Sequence, residues 1–168
     1  MNKLIFIFLI LVSGTHLFAQ EGYPEPTEKS GLLFYIQHNR GKNTFVYALN
    51  KGDEKNPIRV YRQIFDKEGE VRPLTTLQRN FAYGIDCKKL NNQNYEATIV
   101  SLPTQKFYLH IPKKGNAFVE TTINGVNMTV SRIFIQQKDG TSGLSTKVDY
   151  ILFYGKHNNK ATVQKLIP

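Results

Sequence analysis

The sequence predicts an all-β fold, mainly antiparallel, on three observations. From Gly31 onward the apolar residues recur mostly with period two, which sends alternate side chains to opposite faces of a strand. Short clusters rich in Asn, Asp and Gly punctuate that alternation and read as turns. Only one stretch, between Pro73 and Gly84, carries helical spacing.

The first strand pairs Leu33, Tyr35 and Gln37 on one face against Leu32, Phe34 and Ile36 on the other, and Phe45, Tyr47 and Leu49 share a face of the second. Asn39 to Asn43 is the expected hairpin loop between them. Ile58, Val60 and Ile64 line the third strand, which Asn56-Pro57 and the turn Asp66 to Gly69 bound. The helix is expected over residues 75–83: Leu74, Leu77 and Phe81 form its apolar stripe, Thr75 and Gln78 its capping box, and Gly84 a left-handed stop. Further strands are expected over 95–102, 106–111 and 117–123. Asn124-Gly125 then suits a type I′ turn, since both central positions need positive φ, so 117–123 should pair antiparallel with 126–137. Asp139 to Gly143 reads as a flexible loop before 148–154, and His157 to Asn159 turns the chain into a last strand near 161–166. About eight to ten strands and one helix predict a meander closing into a β-barrel or strongly curved sheet, with an open sandwich as the alternative.

Composition narrows the class. Aromatic residues make up 12% and charged residues 21%, which excludes a disordered tail, a collagenous chain and a coiled coil. A lone cysteine, Cys87, rules out an internal disulfide framework and any cysteine-based cluster; a buried, inert thiol is expected there. Residues 1–19 read as a secretory signal: Lys3, the apolar run Leu4 to Val12, and Leu17-Phe18-Ala19 before cleavage. That run falls short of the roughly 20 apolar residues of a spanning helix. Residues 20–30, with Pro24 and Pro26, read as an extended leader, and 31–168 as a single β-domain. The whole chain carries a formal +9, and loss of the signal removes only one lysine, so the exported domain is basic.

Leu33-Phe34-Tyr35-Ile36-Gln37, Asn43-Thr44-Phe45-Val46-Tyr47, Leu77 to Gly84 and Ser131-Arg132-Ile133-Phe134 follow an order and spacing that resemble a known family. It is the secreted bacterial family called domain of unknown function 4833. The resemblance runs from Leu32 to the C-terminus and implies export from a Gram-negative cell of the Bacteroidetes type. It brings no established activity.

The residues that carry chemistry in other proteins are here scattered. His38, His110 and His157 lack the spacing that brings imidazoles together, so solvated or structurally bonded rings are expected. The carboxylates of Asp53-Glu54, Glu68 and Glu70, and Glu25 to Glu28 fall in turns or in the leader. Lys88, Lys89, Lys113, Lys114, Lys156 and Lys160 stand at strand ends, where they raise the local anion concentration or protect edges. Arg132 falls in register with Met128, Val130 and Phe134, and unless a bulge turns it outward it points inward. Its partner is then a carboxylate such as Asp86 or Glu96, or a ligand anion. Gln78, Arg79 and Tyr83 would lie near one barrel opening.

These residues favour an exported non-enzymatic domain that binds a small amphipathic or anionic ligand in its interior or at its mouth, with Arg132, Gln78, Arg79 and Tyr83 as contacts. The alternative is a cell-envelope interaction protein that docks a protein, glycan or membrane surface through a basic face, and an envelope hydrolase is third. No cofactor, metal or nucleic acid is expected, and no transmembrane anchor in the mature form.

Overall fold

A computed structural model describes residues 23–168. The expected signal segment 1–19 and the start of the leader, 20–22, lie outside the described residues.

Eleven strands form one sheet that curls into a half-barrel. In chain order they are β1 (Leu32–His38), β2 (Gly41–Leu49), β3 (Ile58–Ile64), β4 (Glu70–Pro73), β5 (Ile85–Asn91), β6 (Asn94–Ile99), β7 (Lys106–His110), β8 (Phe118–Ile123), β9 (Val126–Gln137), β10 (Val148–His157) and β11 (Lys160–Leu166). The expected single meander is in fact two. β1 to β4 make one and β5 to β11 the other, and a parallel pairing of β1 with β9, Tyr35 opposite Arg132, joins them. A parallel pair needs no local turn, so no turn residues announce it.

The local turns follow their residues. Asn124 (φ 51°) and Gly125 (φ 81°) form the tight β8–β9 hairpin, and Asn158 and Asn159, both at positive φ, turn β10 into β11. The β1–β2 turn is shorter than the expected five-residue loop, because His38 already pairs with Gly41. The Asn39 side chain is used otherwise: its amide donates to Gln137 O and accepts from Gln137 N–H, extending the β1–β9 ladder by one residue.

The helical segment is a single turn, α1 (Thr76–Gln78), that widens into a π turn over Arg79–Tyr83. The Thr75–Gln78 capping box forms as expected. Leu77 (63% exposed) and Phe81 (59%) do not face the core; Leu74, ahead of the helix, and Tyr83, at the end of the π turn, do. Gly84 is not left-handed, with φ −60°. It is glycine because a Cβ there would overlap the Arg79 carbonyl oxygen.

The core fills the concave side, where Phe34 stacks on Tyr47 and Phe107, and Phe153 packs against Phe107. The interior, one of the two places expected for a ligand, is therefore filled by aromatic side chains. Tyr35, Val46, Ala48 and Phe134 are buried outside this cluster, with the polar Gln37, Thr44 and Gln63. Residues 23–28 cross that second face as a strap. Tyr23 meets Phe134 edge-on, Pro24 O accepts from Gln37 Nε2 at 2.8 Å, and Thr27 exchanges two hydrogen bonds with Gln63.

Candidate functional site

β9 has two edges and three partners. β10 takes one edge from Thr129 to Gln137. On the other edge β8 pairs up to Thr129, and β1 pairs from Arg132. Val130 and Ser131 are left between two diverging strands. At this junction opens a pocket of about 550 Å³.

A bulge decides which side chains enter it. The β9–β10 register passes from Arg132↔Tyr154 to Val130↔Gly155 and leaves Ser131 unmatched. One extra residue inverts the side-chain parity. Met128 and Val130 before it, and Ile133 and Ile135 after it, all join the core, while Arg132 and Phe134 turn to the strap side. Arg132 therefore does not face the interior as strict alternation requires. Neither expected carboxylate meets it, since Glu96 pairs with Lys106 at 2.9 Å and Asp86 is exposed. The signal was present: core residues at 128, 130, 133 and 135 are spaced two, three, two, and the three marks an inserted residue.

The Arg132 guanidinium carbon lies 5.0 Å from the Tyr154 ring centre and 5.6 Å from that of Phe134. Its Nε and Nη2 are both shielded from solvent and have no hydrogen-bond partner among the described residues. Tyr35, opposite it on β1, has its phenol pKa raised, first by burial and then by nearby Glu25, with Arg132 opposing. Burial raises Tyr154 as well, again against Arg132. Both phenols stay neutral donors at ordinary pH. Glu25 of the strap forms part of the pocket lining, with its carboxylate 2.6 Å from Lys29 Nζ. Lys156 supplies an exposed cation, and Leu33, Val130, Phe118, Ala161 and Val163 make apolar wall.

The other sequence-derived contacts lie elsewhere, and none lines this pocket. Gln78 caps its helix, and Arg79 is exposed. Tyr83 is buried, stacked on Phe45, with its carbonyl accepting from the Tyr47 hydroxyl at 2.7 Å. Sequence reasoning missed Tyr35, Tyr154 and Glu25, which the β1–β9 and β9–β10 pairings and the strap assemble, and it named Lys156 only as one of several strand-end cations.

The histidines make structural contacts. His38 Nδ1 accepts from Arg40 N–H, His157 Nδ1 pairs with Asn127 O, and His110 Nδ1 lies 2.7 Å from Asn94 Oδ1. His110 Nε2 also stands 3.2 Å from Glu120 Oε2, close enough for an ion pair though not aligned for a hydrogen bond. Cys87 is half-buried, its thiol pushed up to about 11 by burial and then by Asp86, so it carries no thiolate at neutral pH. The site that stands out is thus a cation beside rings and aliphatic wall, suited to holding an anion.

No curated protein and no solved structure matches the chain. The family model described as Domain of unknown function (DUF4833) matches residues 34–165, from within β1 to within β11 and so across both meanders and the seam between them, and the protein belongs to that family.

Proposed function

We propose that the protein is an exported, non-catalytic β-domain that binds a small amphipathic anion in the pocket beside Arg132. One observation carries the reading: two buried N–H donors of a permanent cation stand unpartnered at the wall of a pocket sized for a small molecule. Buried polar groups are paired in the great majority of cases, so an orphan pair at a pocket calls for an occupant. Export rests on residues 1–19, with cleavage after Ala19 and release of a soluble product into the periplasm or beyond.

Native mass spectrometry of the protein recovered from its own cell envelope tests both parts. The expected species lacks residues 1–19 and carries an added mass that the Arg132→Ala variant lacks. Retention of the first nineteen residues defeats export, and a parent protein recovered at its bare mass, or an added mass that the variant carries as well, defeats ligand binding beside Arg132.

A further inference from the structure

We infer that the head group recognised by Arg132 is a carboxylate carried on an apolar body, an inference that rests on the anion-binding reading above. The first argument is the geometry of the orphan donors. Nε–H and one N–H of Nη2 lie on the same edge of a guanidinium and point in parallel, the arrangement that meets both oxygens of a carboxylate at once. Here that edge, and not a scattered pair of donors, is shielded and unpartnered.

The surroundings favour a flat head group. Tyr154 and Phe134 lie within 6 Å of the guanidinium carbon, which restricts bulk around it. A tetrahedral phosphate presents oxygens out of any single plane and needs further donors to satisfy them. Glu25 on the same pocket lining adds a like charge, partly neutralised by Lys29, while Lys156 adds an opposite one, so the choice of head group rests on the planar guanidinium edge. Leu33, Val130, Phe118, Ala161 and Val163 leave a mainly aliphatic wall for the rest of the ligand.

Titration calorimetry of the signal-free protein with octanoate, octyl phosphate and octan-1-ol tests this. Octanoate is expected to bind at least about tenfold more tightly than either of the others. Arg132→Lys keeps the charge and loses the edge, and should weaken octanoate about tenfold with an unchanged far-UV spectrum. Ala161→Phe, on the exposed part of the wall, should abolish binding with Arg132 intact, and serves if the Arg132 variant does not fold. Equal or tighter binding of octyl phosphate overturns the carboxylate assignment while the anion-binding reading stands. So does an Arg132→Lys variant that binds octanoate normally. If octanoate and octyl phosphate both fail to bind at about 1 mM, or bind no better than octan-1-ol, both readings fall.

Discussion

Arg132 and Tyr154 face each other directly across the β9–β10 pairing, with the guanidinium carbon 5.0 Å from the ring centre. The nearest compensation for this charge is a ring and not a carboxylate. A buried ion pair broken by substitution costs about 3–5 kcal/mol. Here the lost cation–π contact, about 0.5–1 kcal/mol, is offset by removal of two unpaired buried donors. Arg132→Ala should therefore change stability in urea by less than about 1 kcal/mol. A loss of 3 kcal/mol or more would reveal a carboxylate partner in solution.

Glu25 brings a negative charge to the same pocket, partly neutralised by Lys29. Replacing it with Gln should tighten octanoate binding about two- to threefold in low salt. In 0.5 M NaCl the gain should vanish by screening. Weaker binding by the variant would instead make Glu25 a ligand contact.

His38 gives a signed pH dependence. Burial holds its pKa below the ordinary 6.5, and its Nδ1 must stay unprotonated to accept the Arg40 N–H. The unfolded chain, with the higher pKa, takes up the proton first as pH falls. The stabilisation is thus complete above 6.5 and is lost as pH drops from there through the lowered value. The melting temperature of His38→Gln should fall less between pH 7 and pH 5 than that of the parent, and parallel curves would refute the assignment.

Two glycines are predicted to resist substitution for different reasons. Gly125 sits at φ 81° with open space around it, so alanine there should cost only the left-handed strain, about 1–2 kcal/mol in urea. Gly155 stands beside the bulge, where a Cβ would overlap the Thr129 carbonyl oxygen. Alanine at 155 must push β10 away from β9 and should cost about 3 kcal/mol or more, with loss of octanoate binding. An equal effect of the two variants would contradict the register described.

What the residues announced was local. Asn124-Gly125 predicts its turn because backbone φ is a property of those two residues, and the Thr75–Gln78 box spans only three peptide bonds. β4 and β5 went unforeseen because Pro73 and the polar run Lys88-Lys89 break the alternation that marks a half-buried strand. Arg132 stands out in the sequence as a polar residue in an apolar run, yet its direction depends on a bulge at Ser131 that strict period two overlooks. The companions Tyr35 and Glu25 reach it through long-range pairing and a strap, neither of which leaves a local mark.

The seam between the meanders also sets an order of assembly. Asn39 and Gln137, which close the β1–β9 ladder, are 98 residues apart in the chain, whereas the hairpins on either side need only their own turns. Local hairpins close in microseconds, while joining distant strands must first overcome the entropy of a long loop. The two meanders are therefore expected to form early and to meet late, with β9 as the common rail. Since the pocket lies where β1 and β8 part along that rail, it comes into being only at the last step. A ligand that fills it binds the finished fold alone and draws folding toward completion.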